Sequence, residues 1–234
     1  KTLFPYTTLF RSGANLSGAN FADTNLERAD LSLAMCANTN FSSARLVTTG
    51  LEGANLCGAR LDDANLSHAR VDQARLVGAS LERANLDGAQ MDGVDLTRAR
   101  LRSARLVETS LDHATCTEAD LADAKLEGTV LVAAVLDGAN LEGAALDQCN
   151  LTAAGLRTAR LGRARIAACR FHAAALDGAD LRGAELSATD LTGASLTGAR
   201  GAGVTYSRCN LASADLRGME FDGADFTDAD LRGA

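Results

Sequence analysis

From Leu16 to Leu231 a large residue recurs at nearly every fifth position, and the phase never slips. The 44 centres are Leu at 32 positions and Phe at five, with Val71, Met91, Ile166, Cys36, Cys116, Tyr206 and Gly201 as the remainder. Two residues before each centre the chain is nearly as strict, with Ala at 32 of the 44 positions. A helix would repeat its apolar residues at 3.6 and a strand at 2, so a period of five fits neither. An extended segment points residues i and i−2 to one side, which turns each centre and the small residue before it inward. The other three positions carry Asn, Asp, Arg, Ser, Glu and Gly, and face water. Gly recurs two residues after the centre, at 18, 58, 78, 88, 138 and 143 among others, where a corner profits from its freedom in φ. Each unit therefore predicts a short extended side followed by a bend.

The exceptions count the sides. Of the inward small positions that are not Ala, Thr49, Thr109, Thr129, Cys149, Cys169, Thr189 and Cys209 all fall in one class modulo 20. Glycines 18, 58, 78, 138, 178, 198 and 218 fall in another. Four sides and twenty residues per coil is the economical account. About 11 such coils at a strand spacing of ~4.8 Å would make a rod roughly 50 Å long.

The units Ala14-Asn15-Leu16, Ala54-Asn55-Leu56, Ala179-Asp180-Leu181 and Ala229-Asp230-Leu231 resemble the A-(D/N)-L-x-x repeat of the pentapeptide repeat family. The resemblance covers residues 13–234. It implies an all-β fold, a right-handed quadrilateral β-helix forming a single domain. Residues 1–12, KTLFPYTTLFRS, stand outside the pattern and hold the one proline. They resemble a translated sequencing adapter and are read as an artefact, with a native capping strand as the alternative. The other end stops inside the repeat, so the chain reads as a fragment of a longer protein.

Composition narrows the function. A formal net charge of −7 and a pI near 5.0 argue against direct nucleic-acid binding. No apolar run approaches the ~20 residues of a membrane helix, and no signal segment opens the chain. Six unevenly spaced cysteines suit a reducing compartment, hence the cytoplasm. Cys149 and Cys169 lie one coil apart in one inward column, but parallel side chains there fit small buried residues better than a disulfide. His68, His113 and His172 sit outward on separate coils, without a second His or Cys at ligand spacing. A filled rod offers no cleft for convergent groups. No enzyme, metal site or cofactor is expected.

Charge rows remain. Arg157, Arg160, Arg163, Arg165 and Arg170 form a basic girdle. Adding twenty residues places Asp180 over Arg160, Glu185 over Arg165, Asp190 over Arg170 and Asp120 over Arg100, which predicts stacked opposite charges. Glu52, Asp72, Asp92 and Asp112 form an acidic column on one face. Asp215, Glu220, Asp222, Asp225, Asp228 and Asp230 make the C-terminal coil acidic. These ten residues are the candidate partner contacts. Gly201 beside Tyr206 is read as compensation of volume, since interiors are close-packed, with a bend or recognition point as the alternative.

The expected role is a non-enzymatic structural or protein-interaction module, with end-to-end pairing of two copies open to its free strand edges. The alternative comes from the resemblance, whose best characterised members are DNA mimics that bind DNA gyrase and other type II topoisomerases and protect against quinolones. Here electrostatics works against mimicry. A duplex carries one charge per ~1.7 Å, or about 30 over a rod of this length, against a net −7. Several of those relatives also carry projecting loops and a C-terminal dimerisation element, neither of which this sequence shows.

Overall fold

The computed structural model describes residues 12–234, so the expectation for residues 1–11 lies outside the described residues. Those residues form the expected right-handed quadrilateral β-helix. Right-handedness is the rule for parallel crossovers, because twisted strands pack back on their neighbours only that way. The residue before each centre bridges, in parallel, the residue twenty further on, from Asn15↔Met35 to Asn210↔Asp230. One coil is thus four five-residue sides. Among the described residues only two sides lengthen into strands, β1 (Arg165–Ala167) and β2 (Glu185–Ser187), paired Ile166↔Leu186.

In an interior coil, all five backbone N–H groups of a unit that carries Asn or Asp before its centre find acceptors, which a water-poor corner requires. The Leu16 N–H donates to the Met35 carbonyl at 2.7 Å, the Gly18 N–H to Ala37 at 2.9 Å, and Met35 returns a bond to Ala14 at 2.8 Å. The Ala19 N–H closes the turn onto the Leu16 carbonyl at 3.0 Å. The fifth N–H, just after the centre, is met by a side chain. Asn15 Oδ1 accepts it from Ser17 at 3.1 Å, and Asn85 Oδ1 from Asp87 at 2.9 Å. The Asn or Asp of the repeat therefore bends back over its own turn, in the manner of an Asx turn.

Every residue two after a centre has positive φ, seventeen of them glycine and twenty-seven not. The non-glycines cluster between 52° and 60°, where an L side chain is strained. Ala153 (φ 57°) and Ala173 (φ 55°) are exposed and carry no polar group that compensates. Replacing either with Gly is expected to stabilise the rod by up to about 1 kcal/mol, net of the extra entropy Gly gives the unfolded chain. Thermal melts of A153G and A173G check this; a lower melting temperature would contradict it.

Inside, the Leu and Ala columns are buried almost throughout. The Thr and Cys column does more than fill space. Thr49, Thr109, Thr129 and Thr189 hydroxyls donate to the carbonyls of Leu26, Leu86, Leu106 and Ile166 on the preceding coil, at 2.6–3.0 Å. Cys149, Cys169 and Cys209 thiols take the same place toward Leu126, Leu146 and Leu186. Each buried polar group is thereby satisfied. The six cysteines are unpaired, Cys149 and Cys169 included.

Burial pushes the Cys116 thiol up to about 12, and Cys36 and Cys209 up to about 11. The Cys169 thiol beside Cys149, followed by burial, raises that group as well. Only Cys57 is half-exposed. A thiol reagent such as Ellman's is expected to label one cysteine rapidly in the folded chain and six after denaturation. Ionisation of the buried thiols favours the unfolded chain, whose thiols titrate near ~8.5. Stability should therefore fall as pH rises from about 9 toward 12, the sign that raised folded-state values require.

Candidate interaction surfaces

The four sides of the coil present four lengthwise faces, each with columns of side chains stepped by twenty residues. Glu52, Asp72, Asp92 and Asp112 occupy one such column, as expected. Their carboxylates are also structural. Asp72 Oδ1 accepts the Asp92 N–H at 2.9 Å, and Asp92 Oδ1 accepts the Asp112 N–H at 3.2 Å. Asp112 Oδ1 accepts the Val132 N–H at 2.9 Å. These residues cap the open turn N–H of the next coil, which offsets repulsion along the column. Glu52 instead pairs with Arg70. Its carboxylate lies over Gly50, where an added Cβ would approach it to 2.9 Å.

The six C-terminal acids do not share a face. Asp215 lies on one side of the coil, Glu220 and Asp222 on the next, Asp225 and Asp228 on the third, and Asp230 on the fourth. They form a ring. Several are already engaged: Arg217 hydrogen-bonds Asp215 and holds its carboxyl down at about 2. Arg232 lowers Asp230 in the same way at 2.6 Å, and Thr227 lowers Asp225. Glu220 sits 4.0 Å from Arg200. Among the described residues Asp222 and Asp228 have no ion pair.

The charge rows follow the expected register but not the expected pairing. Arg160↔Asp180, Arg165↔Glu185, Arg170↔Asp190 and Arg100↔Asp120 are bridge partners. Yet Arg160 pairs with Glu142, eighteen residues back, and Arg165 with Asp147. Arg45–Glu27, Arg70–Glu52, Arg100–Glu82 and Arg105–Asp87 repeat that offset. The reason is the Asx turn. Asp180 and Asp190 point at their own turns, to Arg182 N at 3.2 Å and Thr192 N at 3.0 Å. An Arg beneath finds the acid after the previous centre closer to hand. Each pair is exposed and worth ~0.2–1 kcal/mol; together they fix side-chain positions across a face.

A shallow dent on the same face as Arg160 escaped the sequence reading. It is lined by Glu142, Arg160, Gly162, Arg163, Asp180 and Arg182. The signal was available, because among the described residues Gly162 is the sole glycine directly after a centre. No group of three or more His, Cys, Asp or Glu residues among those described could hold a metal ion. No described helix is long and apolar enough to cross a membrane.

Known proteins share this architecture. A family model described as Pentapeptide repeats matches in eight copies, over residues 12–46, 51–78, 74–112, 114–152, 159–200 and 207–234. The chain is similar to the crystal structure of HetL, a pentapeptide repeat protein involved in heterocyst differentiation regulation in the cyanobacterium Nostoc. The two are 30% identical over 93% of this chain and 89% of HetL, with a TM-score of 0.43. A pentapeptide repeat protein of the Arabidopsis thaliana thylakoid lumen is 31% identical over 52% of this chain and 74% of its own, with a TM-score of 0.38. A trypsin-treated variant of QnrB1, a plasmid-mediated fluoroquinolone resistance protein, is 16% identical over 91% and 90% of the two chains, with a TM-score of 0.48. No curated protein sequence matches. The five-residue period, the twenty-residue coil and the matches along nearly the whole length together assign the chain to the pentapeptide repeat family.

Proposed function

We propose that the chain is a non-enzymatic interaction rod that presents a flat face to a protein partner in the cytoplasm. One observation carries this reading: the outward side chains are held in a lattice of Asx caps and ion pairs over a filled core. Such a surface is organised before binding, so little side-chain freedom remains to be lost on docking. Unpaired cysteines suit a reducing compartment. Pairing of two copies end to end belongs to the same reading, since an unpaired strand edge can accept a second chain. Sedimentation velocity tests it.

A second reading, mimicry of DNA toward gyrase or another type II topoisomerase, is favoured by the acidic column. Asp72, Asp92 and Asp112 stand on successive coils without an ion pair among the described residues. The deciding experiment is gyrase supercoiling with and without a fluoroquinolone. Protection or inhibition at low micromolar rod supports mimicry. It should then vanish on charge reversal at Asp222, Asp225 and Asp230, or when Asp72, Asp92 and Asp112 become Asn, which keeps the cap and removes the charge. No effect from a folded rod leaves the general module. That module requires a partner whose retention is lost when one face is altered and kept when the other three are.

A further inference from the structure

The dent at Gly162 gathers charged groups around a bare floor. Three guanidinium groups, of Arg160, Arg163 and Arg182, converge on a floor that has no side chain. The coils on either side leave the adjoining corner bare as well, with Gly143 and Gly183 flanking Arg163. Two carboxylates hold the guanidiniums in place. Glu142 takes Arg160 at 2.9 Å and Arg163 at 2.7 Å through its two oxygens. Asp180 takes Arg182 Nε at 2.8 Å. Each guanidinium spends at most two of its five N–H donors on these bonds, and three cations against two anions leave a positive excess in an acidic protein.

We propose that this dent is an oxyanion site for a phosphoryl group, taken up as the free ion or on a partner's side chain. A tetrahedral group presents three oxygens, one for each of the three guanidiniums. A planar carboxylate offers only two. The carboxylates already present act as positioning groups that hold the forks at the dent and leave donors free for a ligand.

The test is calorimetric titration at low salt with inorganic phosphate and, separately, with a short phosphoserine peptide. The informative variant is G162L. A Cβ at 162 meets only the Arg182 carbonyl at 3.6 Å and Glu142 Cγ at 3.9 Å, both ordinary contacts, so the variant should fold while its side chain fills the dent. Saturable binding by the natural chain is expected. G162L and R163Q should each weaken it at least tenfold, and R75Q, on another face, should leave it unchanged. Equal affinity for the ion and the peptide would identify a free-ion site; tighter binding of the peptide would identify an anchor for a modified partner. Either supports the proposal. Absence of saturable binding, or binding that G162L does not weaken, overturns it, whatever the gyrase assay returns.

Discussion

Deletion of Gly138 alone is expected to lower the melting temperature by on the order of 10 °C or more, whereas deletion of residues 120–139 should lower it by only a few degrees. The single deletion leaves two outcomes, both costly. If the chain downstream slips by one, Glu142, Asp147 and Arg157 arrive at inward positions, and an unpaired buried charge costs several kcal/mol. If the phase is kept, the corner is a residue short. It then loses the Gly138 N–H bond to the Arg157 carbonyl at 2.8 Å and the turn bond from Ala139 to Leu136 at 3.0 Å. Together with strain, that amounts to about 3–5 kcal/mol, in a chain for which each kcal/mol moves the melting point by roughly 2–4 °C. Removal of 120–139 joins Ala119 to Asn140 and regenerates Ala-Asn-Leu. A coil contacts only its neighbours, so the shorter rod loses one layer and no register. Circular dichroism melts of the two deletions decide it, and equal losses would refute the coil as the unit of stability.

The second large effect lies at Gly201. Its missing side chain is replaced by neighbours. Tyr206 is fully buried with its hydroxyl 4.0 Å from Met219 Sδ, and its ring stacks on Phe226 at 4.9 Å. A Cβ at 201 would meet Met219 Cε at 2.5 Å, the Glu220 carbonyl at 2.9 Å and the Tyr206 hydroxyl at 3.4 Å. The space is therefore occupied, in accord with the volume compensation expected from the sequence. Gly201→Leu should cost ~3 kcal/mol or more by overpacking, and Tyr206→Leu ~2–4 kcal/mol by leaving a void. Combining both with Met219→Ala restores the ordinary pattern of centre and small residue. The triple variant should then be more stable than either single variant, a coupling of ~2 kcal/mol or more. Denaturant titration of the set measures it; additive losses would mean that the three sites do not share one cavity.

What was legible followed from strict periodicity. The Leu and Ala columns, the four sides and the role of Tyr206 needed only the step of five and the step of twenty. Other features hid because they depend on where a short side chain turns. Positive φ was hinted at by Gly18 or Gly78, yet Asp23, Arg28 and Ser43 adopt it too, since the closed coil overrides local preference. Asn and Asp before the centre read as solvent-facing, and nothing in their spacing shows that they bend onto the turn N–H. That one rotamer choice moved the pairs of Arg100, Arg160 and Arg165 from an offset of twenty to eighteen. The acidic column was visible as charge, but its capping of the next coil was not. The C-terminal acids, close in sequence, were dispersed around a ring by the same quarter-turn geometry.

That geometry bears on how such a gene can change length. Slippage by fifteen nucleotides adds or removes one whole side and keeps every inward residue inward, so the core tolerates it. Everything downstream, however, rotates by ninety degrees. A row such as Asp72, Asp92 and Asp112 would be cut and its remainder carried to an adjacent face. Only steps of sixty nucleotides preserve both the interior and the alignment of the exterior. Selection for folding alone would accept either length change; selection for a binding face would accept only the longer one. The uninterrupted row from Glu52 to Asp112 is therefore the kind of record that recombination would erase first if no partner read it.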